Sequence, residues 1–136
     1  MGAAETQQEN VAVARRSFEL YSEGGPDNAR PTWAEDCVWN DPAEMPDADV
    51  YRGHQAVAAR LNELWGVLPL DDLEVEEAMA VNDSDVLLIL GFHAKGGGSG
   101  IPVDQPMGCI VTIRDGLCAE WRPFLDQDAA RLAAGL

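Results

Sequence analysis

The sequence predicts a single α+β domain in which helices come first and antiparallel strands follow. Two observations predict it: apolar residues recur at helical spacing in the first half of the 136-residue chain, and from Leu73 onward they alternate with a period of two. Elements of one kind are grouped, so we expect the helices to pack on one face of a curved sheet. With 46% apolar residues, the domain 1–136 can bury one core.

The first half of the chain is predicted to contain three helices and one strand. Residues 1–9 are small and polar and are expected to form a disordered tail. Apolar spacing, with proline and glycine as stop signals, gives the element bounds. The predicted elements are helix one over Asn10–Tyr21, a short helix two over Pro31–Ala34, a strand over Cys37–Asp41, a loop over Pro42–Asp49 and helix three from Gly53 to about Gly66.

The second half is predicted to be a meander of strands with a short helical run at its end. Polar and glycine-containing segments separate the apolar runs, and Asp126 is well placed to cap the run Gln127–Ala134 before Gly135. The predicted strands are Leu73–Val81, Val86–Ala94, Pro106–Arg114 and Leu117–Leu125, joined at Asn82–Asp85, Gly96–Gly100 and Asp115–Gly116.

Charge and cysteine content exclude several classes of partner. Acidic residues outnumber basic ones by 24 to 9, which argues against nucleic acid and anionic membranes and favours neutral or cationic ligands. No apolar run has the length of a membrane span and the N-terminus does not resemble a signal peptide, so a cytoplasmic protein is expected. The three cysteines, Cys37, Cys109 and Cys118, lack metal-site spacing and are expected to be buried thiols, with no metal bound.

Four short motifs resemble the SnoaL-like polyketide cyclases and ketosteroid isomerases of the nuclear-transport-factor-two-like superfamily. They are Glu35–Pro42, Tyr51–Gly53, Arg114–Gly116 and Glu120–Arg122, in the order that this superfamily shows. The resemblance implies a cone-shaped half-barrel, or cystatin-like roll, in which a curved, mostly antiparallel sheet wraps around three N-terminal helices and an apolar pocket. It also implies a homodimer formed through the outer sheet and no cofactor. Members include isomerases, cyclases, epoxide hydrolases, dehydratases and non-catalytic proteins.

Asp41 is the first candidate catalytic residue. The resemblance places it where ketosteroid isomerases carry their general base, and an acid inside an apolar cavity suits proton transfer. The alternative is that Asp41 caps the turn before Pro42. Phe18 and Cys109 fall at the positions resembling the isomerases' oxyanion-binding tyrosine and aspartate, so steroid isomerase activity is not expected. Pro123 likewise replaces an acid of the limonene-epoxide-hydrolase branch.

His93 is the second candidate catalytic residue, because an ionisable side chain in an apolar strand needs a reason. It either faces the cavity and relays protons with Asp41 or faces solvent or a partner; the sequence leaves both open. A set of large apolar side chains is expected to line the pocket, although each is also an ordinary core residue. The set is Phe18, Trp39, Leu61, Trp65, Met107, Cys109, Val111 and Trp121.

Two functional hypotheses follow. In the first, a homodimeric protein binds a small apolar or aromatic metabolite, and Asp41 acts as general acid/base in a cofactor-free isomerisation, cyclisation or dehydration. In the second, the same fold is a non-catalytic module for ligand binding or dimerisation.

Overall fold

The computed structural model describes residues 3–67, 73–95 and 102–136, which form four helices and one six-stranded sheet. The helices are α1 (Ala3–Gly24), α2 (Pro26–Ala29), α3 (His54–Val67) and α4 (Gln127–Ala133). The strands are β1 (Trp33–Asn40), β2 (Val50–Arg52), β3 (Leu73–Ala80), β4 (Asp85–Lys95), β5 (Pro102–Arg114) and β6 (Leu117–Phe124).

The sheet is curved and open, with the strand order β2-β1-β6-β5-β4-β3. Neighbouring strands run antiparallel except for β1 and β6, which run parallel with Trp33 opposite Cys118 and Trp39 opposite Trp121. The α+β class and the mostly antiparallel sheet are therefore confirmed. Strand β1, which ends beside Asp41, lies between β2 and β6 and is therefore not an edge strand.

Helix α1 begins earlier than its apolar pattern indicates. It starts at Ala3, well before Asn10, so the helix extends through most of the segment expected to be a disordered tail. Residues 5–9 are all polar (Glu, Thr, Gln, Gln and Glu) and are compatible with a helix. Because they add no apolar stripe, hydrophobic periodicity could not reveal this first part of α1. The helix ends at Gly24 rather than at the predicted Tyr21, and the glycine stop signal is confirmed, since Gly25 adopts a φ of 83°, which favours glycine.

The short second helix was predicted at the wrong place. Instead of spanning Pro31–Ala34, α2 has Pro26 in its first turn, a 3₁₀ turn follows at Arg30–Thr32, and β1 already begins at Trp33. Trp33 adopts strand geometry because it pairs with Cys118 of β6, a long-range contact that overrides the local signal of Pro31. The predicted turns at Asn82–Asp85 and Asp115–Gly116 are confirmed.

The two faces of the sheet carry separate apolar clusters. On the inner face, residues such as Leu88, Cys109 and Val111 pack with α1 and α3 in the larger cluster. On the outer face, Leu87, Ile89 and Ile110 pack against α4 in a smaller one. The three N-terminal helices pack on the inner face, as expected, whereas α4 packs on the outer face. The predicted N-cap of α4 is confirmed, since Asp126 Oδ1 accepts from the Asp128 N–H at 3.0 Å.

Cys37, Cys109 and Cys118 are free and buried, as predicted. Burial raises the pKa of both Cys109 and Cys118 from the ordinary 9.0 to about 12, and it also raises the pKa of the Tyr21 hydroxyl. These groups therefore stay protonated in the native protein well above the pH at which they ionise in the unfolded chain.

Stability is expected to fall in alkaline solution because of these groups. Each one contributes fully below its unfolded pKa, about 9 for the thiols, and the contribution is lost as the pH rises towards the folded value of about 12. The slope approaches about 1.4 kcal/mol per pH unit for each group above its unfolded pKa, so each thiol should average about half of this value between about pH 8 and about pH 10. Urea unfolding between about pH 8 and about pH 10 measures it. Cys118→Ala should reduce the slope by the contribution of one thiol. An unchanged slope would contradict the raised pKa of Cys118.

In the part of the chain that the structure describes, no helix is long and apolar enough to cross a membrane.

Candidate functional site

Asp41 lies directly after β1, on the same inward side as Trp39, and its side chain is fully buried. Both carboxylate oxygens are held by hydrogen bonds. The Trp39 indole N–H donates to Oδ1 at 3.0 Å, and the backbone N–H of Asp49 donates to Oδ2 at 3.2 Å. The sequence predicted this orientation relative to Trp39, because side chains two residues apart in a strand point to the same face.

A second charged side chain, Arg60 of α3, completes the surroundings of Asp41. Its Nε donates to Asp41 Oδ1 at 2.9 Å and its Nη2 donates to Oδ2 at 3.1 Å, which is a two-point ion pair. Its Nη1 donates to Glu63 Oε2 at 3.1 Å, and its guanidinium lies 5.5 Å from the centre of the Tyr51 ring. The hydrogen bond to Asp41 raises the pKa of Arg60.

Sequence reasoning missed Arg60. A signal was present: Arg60 follows Val57 by three residues and precedes Leu61, and both of these are buried in the inner cluster. An arginine beside the apolar stripe of a helix needs a carboxylate partner if its head is to be buried. Only 15% of its side chain is exposed, so the partner had to lie inside the fold.

The geometry restricts what Asp41 can do chemically. Each carboxylate oxygen offers two acceptor positions. Oδ1 accepts from Trp39 and Arg60, and Oδ2 accepts from Asp49 and Arg60. All four positions are filled, so a substrate proton could reach this carboxylate only after one donor had left. The Asp41 N–H also donates to the Asp49 carbonyl at 2.9 Å, which closes the loop between them.

The predicted pocket residues whose side chains the structure describes all belong to the inner cluster. Leu61, Cys109, Val111 and Trp121 are buried, whereas Phe18, Trp39 and Met107 are partly exposed. The side chains of Trp65 and His93 lie outside the described residues. The His93 backbone pairs with Asp104 across β4 and β5.

Three tryptophans meet at the β1–β6 junction. Trp121 packs edge-to-face on Trp33, with ring centres 5.3 Å apart, and lies 6.4 Å from Trp39. His54, the first residue of α3, is half-buried, with Nε2 3.2 Å from the Trp33 carbonyl and its ring 5.6 Å from the indole. These rings pack on one another in a layer. Phe18, another aromatic residue of the predicted pocket, instead lies beside open space.

That open space is a cleft of about 320 Å³ between α1 and β3. The Phe18 ring and Val75 supply its apolar surface, and both pack against the inner cluster. Polar side chains also line it: Arg15, Glu19, Ser22 and Glu74. Neither Asp41 nor Arg60 lines the cleft, because three strands separate β1 from β3 in the sheet. The structure thus places the predicted acid and this cleft at different positions.

The family model described as "SnoaL-like domain" matches residues 14–121. The chain belongs to the SnoaL-like domain family. The match runs from the middle of α1 into β6 of this SnoaL-like domain. No functionally curated protein matches the chain in sequence.

Solved structures share the fold of this SnoaL-like domain at low sequence identity. Bal32a, from a soil-derived mobile gene cassette, has a TM-score of 0.70 at 18% identity, covering 87% of this chain and 89% of its own. A Jannaschia sp. CCS1 protein named for SnoaL-like polyketide cyclases has 0.69 at 23%, covering 94% and 92%. SalBIII, an epoxide hydrolase/cyclase-like enzyme of pyran ring formation in salinomycin, has 0.66 at 16%, covering 89% and 93%. At these identities the likeness establishes the fold alone.

Proposed function

We propose that this SnoaL-like domain binds a small apolar or aromatic molecule in the cleft between α1 and β3. One observation carries the proposal: Phe18 and Val75 belong to the inner apolar cluster but open onto a cleft of about 320 Å³, within the size range of small-molecule sites. The ligand's apolar part would cover Phe18 and Val75. The polar rim would orient it.

In this proposal Asp41 is a fixed structural carboxylate. Its bonds to Arg60 join α3 to the end of β1, and its bonds with Asp49 hold the loop that follows. A general base needs a free acceptor position directed at its substrate. Asp41 has none in this arrangement, which supports binding as the first candidate.

Cofactor-free acid/base catalysis by Asp41 is the second candidate, and the inward position of this acid favours it. Turnover would require Arg60 to release one oxygen of Asp41. Glu63 already binds Nη1 of Arg60 and, with 67% of its side chain exposed, could hold the guanidinium when it moves outward. The named activities of the cyclase-like structural relatives are compatible with such a reaction. Its expected signature is loss of turnover in Asp41→Asn.

Titration with prodan, a neutral naphthyl ketone whose fluorescence rises in apolar surroundings, tests the binding proposal. We expect saturable binding by the wild type and an approximately tenfold weaker affinity for Phe18→Ala, the result of losing about 1.4 kcal/mol of aromatic contact.

Phe124→Ala is the matched control. Phe124 is also a partly buried phenylalanine, but it packs in the outer cluster, on the opposite face of the sheet. Its loss should leave prodan affinity within about twofold of the wild type. Equal weakening by both substitutions, or no effect of Phe18→Ala, would overturn the assignment of the cleft.

A further inference from the structure

One face of α1 brings charged, aromatic and hydroxyl side chains to the cleft. The four residues of α1 that line it are Arg15, Phe18, Glu19 and Ser22. Their spacing of i, i+3, i+4 and i+7 is that of a single helix face. Arg15 and Phe18 are half-buried, whereas Glu19 and, across the cleft, Glu74 of β3 are exposed. The cation and the ring therefore lie deeper in the cleft than the two carboxylates.

Arg15 carries a charge that has no ion-pair partner among the residues that the structure describes. The other half-buried arginines in this part of the chain each pair with a carboxylate; they are Arg30, Arg60, Arg122 and Arg131. Glu19 lies one helical turn from Arg15 and Glu74 lines the same cleft, yet neither pairs with it. A half-buried charge has lost part of its hydration, so Arg15 gains from an anionic group that enters the cleft.

The two carboxylates of the cleft offer the opposite chemistry. Within the described ranges, neither the Glu19 nor the Glu74 side chain accepts a hydrogen bond or an ion pair, so both can accept from a ligand. Ser22 donates its hydroxyl proton to the Glu19 carbonyl at 2.9 Å and also keeps only acceptor positions for a ligand. A purely anionic ligand would be repelled by the two glutamates, and a purely cationic one by Arg15.

We infer that the cleft binds a zwitterionic aromatic molecule of the α-amino-acid type. Its carboxylate would bind Arg15, its ammonium group would bind Glu19 or Glu74, and its ring would cover Phe18. The charged groups of an α-amino acid share one carbon atom, and side chains one helical turn apart have Cβ atoms roughly 5–6 Å apart, so one ligand can bridge Arg15 and Glu19. The inference rests on the proposed binding function of this cleft and names the class of its ligand.

Isothermal titration calorimetry with three related naphthyl compounds tests the inference. L-naphthylalanine carries both charges, its N-acetyl derivative keeps only the carboxylate, and its carboxamide keeps only the ammonium group. We expect L-naphthylalanine to bind about tenfold more tightly than either derivative, because each derivative leaves one kind of charge in the cleft without a partner.

Arg15→Gln should abolish the advantage of L-naphthylalanine over its carboxamide, because the ligand carboxylate then has no cation to bind. The double variant Glu19→Gln/Glu74→Gln should in turn abolish the advantage over the N-acetyl derivative. Arg16→Gln is the matched control: it removes the same charge from the next residue of α1, which is exposed and does not line the cleft, so both preferences should remain. A carboxamide preference that survives in Arg15→Gln, or that Arg16→Gln also abolishes, would overturn the inference.

The inference and the proposed function fail in different ways. If prodan binds in a manner that Phe18→Ala weakens but the three naphthyl compounds bind the wild type equally well, the ligand class is wrong and the cleft remains a binding site. If neither prodan nor any naphthyl compound shows saturable binding, the cleft is not a ligand site and both are overturned.

Discussion

Replacing Arg60 with methionine is expected to lower the free energy of unfolding by roughly 3–5 kcal/mol. Methionine keeps the apolar stem of Arg60 but leaves the Asp41 carboxylate, which is fully buried, without a positive partner. The bonds from Trp39 and Asp49 remain, but they do not neutralise the charge. Urea unfolding at neutral pH measures the loss.

The double variant Arg60→Met/Asp41→Asn separates a buried charge from a general packing defect. Asparagine has one acceptor oxygen and can accept from Trp39 or from Asp49, but not from both. Because no buried charge is then left unpaired, a large part of the lost stability should still return. Arg114→Met provides the control on the surface, where Arg114 and Asp36 form an ion pair with 53% and 73% of their side chains exposed. It should cost at most about 1 kcal/mol. If Arg60→Met cost no more than Arg114→Met, the structural role of the pair would be wrong.

Trp121→Ala is expected to lower the free energy of unfolding by about 3–5 kcal/mol, since it opens a cavity beneath the parallel β1–β6 pair. Only 4% of Trp121 is exposed, and its ring packs on Trp33 and Trp39. The sequence alone also allowed Trp121 to be a ligand contact. The structure favours a core role, which a stability measurement by urea unfolding can distinguish.

Trp121→Phe is the companion variant for this test. Phenylalanine retains an aromatic ring, so the protein should fold with a smaller loss of stability. Because Trp121 does not line the cleft between α1 and β3, the affinity for prodan should stay within about twofold of the wild type. A stable Trp121→Phe protein that no longer binds prodan would contradict the core role.

Local patterns predicted the parts of this structure that depend on periodicity. The alternation in β5 correctly separated Cys109 and Val111, which face inward, from the neighbouring residue Ile110, which faces α4. The same alternation placed Asp41 on the inner side of the sheet. The cap at Asp126 was visible because its chemistry lies within three residues of sequence.

Features that depend on long-range contacts were not predicted. The ion pair joins Asp41 to Arg60, 19 residues away, and no periodicity links these two positions. The early start of β1 at Trp33 depends on pairing with β6. The face that α4 covers depends on the close approach of Ala130 to Gly108, and an alanine-rich run has too weak an apolar stripe to indicate it.

The location of bound prodan tests the central claim most directly. Intermolecular nuclear Overhauser effects should join prodan to the Phe18 ring and the Val75 methyl groups, because these are the apolar side chains of the cleft between α1 and β3. The Tyr51 ring, beside Arg60 at the other end of the sheet, should show none. Effects to Tyr51 and Trp39 but not to Phe18 and Val75 would place the ligand beside Asp41 and contradict the account.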